Sequence, residues 1–133
     1  MDKSAWSSST KKITTPWGHE IIWDALPSIR GKVLYINKGG RTSLKYHTAK
    51  DEVFYVMSGL AKIQYADEKW QYRKKYPFTI KEFVTGDCLT VQANCPYRIE
   101  ALEDCILIEI GNSHIGDTTR LEDDYGREVK ENA

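Results

Sequence analysis

The chain has 133 residues, of which 41% are hydrophobic, and its 19 basic and 19 acidic residues give a formal net charge of zero. This size fits one domain that buries roughly two-thirds of the surface of its unfolded chain, and it argues against a second domain. The absence of a basic stripe argues against nucleic acid as a partner, and no apolar stretch approaches the roughly 20 residues that cross a bilayer. The polar start, MDKSAWSSSTKK, lacks the apolar region of a signal peptide, so we expect a cytoplasmic protein that does not associate with membranes.

Short β-type runs follow one another along the chain, with almost no helical periodicity. Glycine, asparagine and aspartate, which favour turns, separate the runs. Short strands at this spacing are typical of an antiparallel sandwich or barrel, so the sequence predicts an all-β fold. The predicted strands cover residues 20–23, 32–37, 42–47, 52–57, 61–65, 78–84, 88–92, 97–101 and 105–110. The charged and aromatic segment 67–76 fits either an extended hairpin or a surface loop.

The stretch 39–59, GGRTSLKYHTAKDEVFYVMSG, contains the first candidate site residues. Alternate side chains of an extended segment share a face, so Lys45 and His47 project together. A polar break at residues 48–51 separates them from a second run that begins at Glu52. If the two runs pair as a hairpin, Glu52 approaches His47. An imidazole beside a carboxylate suits a divalent metal, acid–base catalysis or a buried hydrogen bond.

The spacing of this stretch resembles the first motif of the cupin superfamily. Its glycines and polar residues follow the order Gly39-x5-Lys45-x-His47-x4-Glu52-x6-Gly59, in which Lys45 stands in the place of the first histidine. A second segment, 86–101, is similar to the second cupin motif. There Gln92, Asn94 and Tyr97 stand in the places of a proline, a glycine and a histidine ligand. The four usual metal ligands of the family are thus reduced to two matching positions, His47 and Glu52.

Three further segments resemble the mannose-6-phosphate isomerase type II group of cupins. They are TTPWGHEIIWD at 14–24, the SLKYH core, and TTRLEDDYGR at 118–127, and the resemblance spans residues 12–127. It implies a single-domain cupin, a double-stranded β-helix or jelly-roll barrel, that forms a homodimer. We expect a flexible N-terminal segment at 1–11, the barrel at 12–115 and a tail at 116–133 that packs on or near the barrel.

The resemblance implies a sugar-phosphate isomerase that acts on or binds a phosphorylated sugar such as mannose 6-phosphate. Lys45, His47, Glu52 and Tyr97 would be its catalytic residues. Arg120, in the tail, either holds the phosphate of the substrate or forms local ion pairs with Glu122 or Asp124. His114 lies in the link to the tail, and no spacing rule assigns it a role.

Lys45 is the main obstacle to a metal site. An ammonium has no acceptor, so it cannot bind a metal unless it is deprotonated, and its charge repels a cation. We therefore prefer a metal-free site in which Lys45 pairs with Glu52. The alternative is a divalent metal such as zinc, with His47 and Glu52 as its protein ligands.

Two other functions remain open at this point. The altered ligand positions also fit a non-catalytic carbohydrate-binding or accessory cupin. His47 and Tyr97 also fit a metal-independent nucleotide-sugar ketoisomerase. The ligand is in each case a small molecule, either a sugar phosphate or a nucleotide sugar, and the fold alone does not choose between these functions.

Overall fold

Eleven β-strands and one short 3-10 helix make up the computed structural model, which describes residues 2–73, 75, 77–112 and 116–129. The strands are β1 Lys11–Thr15, β2 Gly18–Leu26, β3 Ile29–Ile36, β4 Leu44–His47, β5 Glu52–Ser58, β6 Leu60–Tyr65, β7 Thr79–Val84, β8 Cys88–Val91, β9 Tyr97–Ala101, β10 Cys105–Gly111 and β11 Thr118–Glu122. His114 lies outside the described residues. None of the helices in the described part of the chain is long and apolar enough to cross a membrane.

The strands form two antiparallel sheets. The six-stranded sheet has the order β1-β2-β3-β10-β5-β8, and the five-stranded sheet has the order β11-β4-β9-β6-β7. Neighbours in each sheet are mostly distant in sequence, so the chain crosses repeatedly between the sheets, as in a jelly roll. The predicted all-β fold is confirmed.

Buried and exposed side chains alternate along the strands, and the buried ones form an apolar core between the two sheets. The buried side chains of the six-stranded sheet include Phe54, Val56 and Leu107, and those of the five-stranded sheet include Ile63 and Ile99; each is at most 1% exposed. Because successive strand residues point to opposite faces, one face of most of these strands joins this core. The same inner face also carries charged residues, which form the site described below.

Every predicted strand segment overlaps an observed strand, but β1 and β11 were not predicted. Four of the five β1 residues are exposed, and those of β11 are half-buried or exposed, so neither strand has the alternating apolar pattern that identifies a strand. Backbone pairing holds them instead, β1 against β2 and β11 against β4.

In segment 67–76, residues Glu68–Gln71 form a 3-10 helix and not a strand of an extended hairpin. The Asp67 side chain caps this helix by accepting a hydrogen bond of 2.9 Å from the backbone N–H of Lys69. Lys74 and Tyr76 lie outside the described residues.

Residues 42–47 and 52–57 do not pair as a hairpin. β4 belongs to the five-stranded sheet and β5 to the six-stranded sheet, so residues 48–51 cross from one sheet to the other. His47 and Glu52 therefore face each other across the barrel interior. Their contact is between sheets and not between neighbours in one ladder.

Candidate functional site

Glu52 is the centre of a buried polar cluster inside the barrel. Its side chain is 1% exposed, and its Oε1 lies 3.1 Å from His47 Nε2. The Tyr97 hydroxyl donates a hydrogen bond of 3.0 Å to the same oxygen. The structure thus brings together three of the residues that the sequence singled out, one from β5 and two from the facing sheet.

Lys50, and not Lys45, forms the ion pair with Glu52. Lys50 Nζ lies 3.1 Å from Glu52 Oε2 and donates a hydrogen bond of 3.0 Å to Glu109 Oε2. The expected pair of Lys45 with Glu52 is therefore wrong. The physical reason is the crossing of residues 48–51 between the sheets, which leaves the Lys50 side chain 4% exposed against both carboxylates.

Sequence reasoning missed both Lys50 and Glu109. A signal existed for Glu109, because in strand β10 it shares a face with Cys105 and Leu107, and a charged residue on that apolar face marks a polar site inside the protein. No comparable signal existed for Lys50, which lies in a polar connection outside any strand.

The cluster extends to β2 and β3. Lys32 Nζ lies 3.6 Å from Glu20 Oε1 and 4.0 Å from Glu109 Oε2. Among the described residues around this cavity, three carboxylates lie near three ammonium groups, which are Glu20, Glu52 and Glu109 against Lys32, Lys45 and Lys50. This balance allows so many charges to be buried together.

Burial and neighbouring charges determine which side chains of the cluster carry a proton. Burial raises the pKa of a carboxyl group, but the hydrogen bond from His47 and the charge of Lys50 outweigh burial and hold the pKa of Glu52 well below its usual range. Burial lowers the pKa of His47, and burial together with the charge of Glu52 raises the pKa of Tyr97. Both side chains therefore stay neutral and donate hydrogen bonds to an ionised Glu52.

Neither ring nitrogen of His47 is left without a contact. With Nε2–H directed at Glu52, Nδ1 accepts a hydrogen bond of 2.9 Å from the Thr118 hydroxyl on β11. In the register Thr118 pairs with His47, so the last strand holds the imidazole in place. Glu109 differs from Glu52, since burial and the charge of Glu52 raise its pKa.

Lys45 lies within a row of side chains that crosses the five-stranded sheet. In the register Lys45 pairs with Tyr97 on one side and with Arg120 on the other, so all three project from the same face. Lys45 is half-buried, and its Nζ lies 5.6 Å from the centroid of the Tyr97 ring. Burial lowers the pKa of Lys45 to about 8, although Glu52 opposes this effect.

Local ion pairs with Glu122 or Asp124 were one of two roles left open for Arg120, and they do not form in the described part of the chain. The Arg120 Nε is buried and has no hydrogen-bond partner among the described residues. Glu122 and Asp124 instead lie 3.6 Å from the two terminal nitrogens of Arg98, whose side chain is 5% exposed. Asp124 also pairs with Arg41, whose Nη2 donates a hydrogen bond of 2.7 Å. These contacts hold the chain after β11 and so position Arg120 beside Lys45.

The side chains of the buried cluster are not arranged as ligands of a divalent metal. His47 and Glu52 are hydrogen-bonded to each other, Tyr97 keeps its proton, and the Lys50 ammonium lies between Glu52 and Glu109. Within the described part of the chain, no group of three or more histidine, cysteine or acidic side chains is arranged to hold a metal ion. In this arrangement Lys50 supplies the positive charge that a metal would bring.

Little space is left inside the barrel. The cavity beside this cluster has a volume of about 50 Å³, and Lys45, His47, Tyr97 and Glu109 contribute to its walls. A water molecule takes up roughly 30 Å³ in the liquid, whereas pockets for small molecules measure about 300–1,000 Å³. The cavity is therefore much smaller than a pocket that encloses a sugar ring.

Comparison with known proteins identifies the fold. No protein-family model and no curated protein matches the chain. The capsular polysaccharide assembling protein CapF from Staphylococcus aureus is a structural match with 17% identity and a TM-score of 0.71, over 88% of this chain and 35% of that one. Oxalate decarboxylase from Bacillus subtilis matches with 18% identity and a TM-score of 0.72, over 90% and 34%. The Lactobacillus farciminis oxalate decarboxylase matches with 20% identity and a TM-score of 0.67, over 84% and 33%.

These matches confirm the cupin fold of the chain. The chain spans about a third of the length of each of these proteins. At such identities the likeness extends to the fold alone. The narrower resemblance to the mannose-6-phosphate isomerase group therefore stays a prediction.

Proposed function

We propose that the chain is a carbohydrate-binding cupin whose ligand is a phosphorylated sugar held by Lys45 and Arg120. The observation that carries this proposal is the placement of two cations side by side on β4 and β11. Neither forms an ion pair within the described part of the chain. Adjacent like charges repel, and an anion that contacts both relieves this repulsion. Guanidinium and ammonium groups are the usual protein donors to phosphate.

Binding suits this site better than catalysis at the buried cluster. The cavity of about 50 Å³ excludes a sugar ring, so the reacting carbons of a sugar would not reach Glu52. The two ring nitrogens of His47 already contact Glu52 and Thr118. In this proposal the phosphate contacts Lys45 and Arg120, and the sugar ring lies outside the cavity. The buried cluster serves to hold Tyr97 and His47 beneath the ligand.

Isomerisation of the sugar phosphate is the second candidate, and one observation favours it. The pKa of Lys45, lowered to about 8, is close to neutral pH. A general acid or base works best with a pKa near the working pH, so Lys45 is suited to move a proton between neighbouring carbons of an open-chain sugar. A nucleotide-sugar ketoisomerase would instead depend on His47 and Tyr97, which contact Glu52 inside the barrel.

The proposal is tested by calorimetric titration with mannose 6-phosphate, mannose, inorganic phosphate and a nucleoside diphosphate sugar. We expect mannose 6-phosphate to bind more tightly than mannose. Lys45→Gln and Arg120→Gln should each weaken this binding about tenfold or more, because each removes a charge-assisted hydrogen bond. Lys62→Gln is the matched control, since Lys62 is exposed on the opposite face of the same sheet.

Failure of every phosphorylated sugar to bind would overturn the proposal. Tighter binding of the nucleoside diphosphate sugar would assign the same cations to a diphosphate. A parallel assay for conversion of mannose 6-phosphate to its ketose separates binding from catalysis. Turnover that disappears in Lys45→Gln but persists in Lys62→Gln would establish the isomerase in place of the binding protein.

A further inference from the structure

The outer face of the five-stranded sheet is covered at β4 by the segment that follows β6. Lys45 and His47 point into the barrel, so Leu44 and Tyr46, which alternate with them, point outward. Both outward side chains are nevertheless buried, with 5% and 9% of their surface exposed. The Trp70 ring packs edge-on against Tyr46, with 5.6 Å between the ring centroids. The segment therefore forms a second layer on this face of the sheet.

Trp70 is fixed within this layer. Its indole Nε1–H donates a hydrogen bond of 3.1 Å to the backbone carbonyl of Asn94. The ring belongs to the 3-10 helix Glu68–Gln71, which the Asp67 side chain caps. A side chain that is already immobilised loses little entropy when a ligand packs against its remaining surface.

A cavity of about 320 Å³ lies between this layer and the sheet. Its volume falls within the range of about 300–1,000 Å³ that is typical of small-molecule pockets, unlike the cavity of about 50 Å³ inside the barrel. Leu44 and Leu121 contribute to its wall from the sheet, and Trp70 and Phe78 contribute from the segment. The cavity therefore offers an apolar wall of about the size of an aromatic ring system.

Two cations complete the wall of this cavity. Arg73 and Lys75 are both exposed, and neither forms an ion pair with another residue in the described part of the chain. Glu122 also contributes to the wall, but its carboxylate lies 3.6 Å from Arg98 Nη1. Two positive charges beside an apolar wall favour a ligand that is both aromatic and anionic.

The backbone at Lys75 supports a role for this residue in binding. Its φ of 61° lies in the left-handed region, which residues other than glycine rarely adopt. Residues held in such conformations are concentrated at ligand-binding and active sites. The left-handed turn occurs where the chain brings the Lys75 side chain to the cavity.

We propose that this cavity binds a nucleoside monophosphate, with the base against Trp70 and the phosphate at Arg73 and Lys75. Nucleic-acid bases stack on aromatic side chains, and an indole provides a large flat surface for this contact. A phosphate monoester carries a charge of about −1.5 to −2 at pH 7, so it matches two cations better than a carboxylate with a single charge. The guanidinium of Arg73 binds phosphate oxygens through two parallel hydrogen bonds.

This site is separate from the one that we assign to a sugar phosphate. Leu44 and Leu121 are the sequence neighbours of Lys45 and Arg120, and Lys45 and Arg120 project into the barrel from the other face of β4 and β11. The two ligands would therefore bind on opposite faces of the same pair of strands. Binding at one site does not require occupation of the other.

Calorimetric titration with AMP, adenosine and inorganic phosphate tests the proposal. AMP should bind at least about tenfold more tightly than adenosine or inorganic phosphate, because only AMP contacts both the ring and the cations. Arg73→Gln, Lys75→Gln and Trp70→Leu should each weaken AMP binding about tenfold, and circular dichroism shows whether each variant is folded. Lys69→Gln is the matched control, since Lys69 is an exposed cation of the same segment and lies outside the wall of this cavity.

Failure of AMP to bind would overturn the proposal, as would unchanged affinity in folded Arg73→Gln and Lys75→Gln variants. An equal loss of affinity in Lys69→Gln, or inorganic phosphate that binds as tightly as AMP, would also overturn it. Excess mannose 6-phosphate should not displace AMP, because displacement would place AMP at Lys45 and Arg120. A chain that binds AMP through Arg73 and Lys75 but binds no sugar phosphate would support this inference and reject the sugar-phosphate site.

Discussion

Glu52 shows at the scale of a single residue why this interior tolerates buried charge. Its two oxygens contact His47, Tyr97 and Lys50, which are the imidazole, the phenol and the ammonium of the cluster. A buried carboxylate without partners costs several kcal/mol, whereas one with hydrogen bonds and a counterion is tolerated. The motif spacing predicted His47 near Glu52. It could not identify the counterion, because ion-pair partners depend on side-chain directions in three dimensions.

Replacement of Lys50 tests the role of this counterion. Lys50→Met leaves Glu52 and Glu109 buried together without their ammonium, so we expect a loss of about 3–5 kcal/mol in the free energy of unfolding at pH 7. Urea denaturation measures this loss. Lys62→Met, a substitution at an exposed site on β6, should change stability by less than about 0.5 kcal/mol.

The loss of stability in Lys50→Met should also depend on pH. The pKa of Glu52 is lowered in the folded protein, so its stabilisation is present above the unfolded value near 4.3 and is lost as pH falls toward the folded value. In Lys50→Met this stabilisation is reduced at neutral pH. The difference between wild type and variant should therefore shrink as pH falls below about 5. A difference that grows on acidification would contradict the assignment of Lys50 as counterion.

Lys45 gives a second prediction at the residue scale, and it concerns ligand affinity. In the free protein the pKa of Lys45 is lowered to about 8, so Lys45 loses its charge as pH rises through this value. The phosphate of a sugar keeps its charge here, since its second pKa is near 6. We expect affinity for mannose 6-phosphate to fall between pH 7 and pH 9.5. The fall should be absent in Lys45→Gln, and an equal fall in that variant would contradict the role of Lys45.

At the scale of elements, the last strand is the one that completes the site. β11 supplies Arg120 beside Lys45 and Thr118 beside His47, yet it has no buried apolar face of its own. Its stability comes from pairing with β4 and from the residues that follow it. Asp124 contacts both Arg41 and Arg98, and Arg98 also lies 3.6 Å from Glu122. Because Arg98 is buried, loss of these partners leaves an unpaired charge.

Asp124→Asn tests this coupling of the tail to the site. Removal of the carboxylate weakens both arginine contacts, so we expect the backbone amides of β11 to exchange hydrogen at least about tenfold faster than in the wild type. Affinity for mannose 6-phosphate should fall at the same time, since Arg120 loses its fixed position. Asp2→Asn, an exposed change in the N-terminal segment, is the control. Unchanged exchange in β11 would show that pairing with β4 alone holds the strand.

The sequence predicted those strands correctly in which buried and exposed residues alternate within the strand itself. The strand β5 alternates between buried and exposed residues over its whole length, and the predicted segment 52–57 lies within it. Neither β1 nor β11 alternates in this way, because the backbone of a neighbouring strand holds them. The sequence also did not show how β4, which carries His47, and β5, which carries Glu52, are arranged. Sequence proximity favoured a hairpin, whereas the sheet order separates these strands.

At the scale of the whole molecule, the six-stranded sheet buries charged side chains on its inner face. Glu20, Lys32, Glu52 and Glu109 point inward and build the buried cluster, beside apolar core residues of the same strands such as Phe54 and Leu107. The inner face of this sheet thus carries both the apolar core and the buried polar cluster. Because a strand pattern with period two is the same whichever face is inside, the pattern alone did not reveal that these charges lie on the buried face.

The sequence by itself determined the all-β class and most of the strands, because alternation along a strand is a local property. The resemblance of residues 39–59 and 86–101 to the cupin motifs added the cupin fold and the candidate residues His47, Glu52 and Tyr97. Only the tertiary structure decided that Lys50 and Glu109 complete the cluster and that Arg120 lies beside Lys45. Contacts between sheets join residues far apart in sequence, and their partners depend on how the connections cross, which spacing along the chain does not specify.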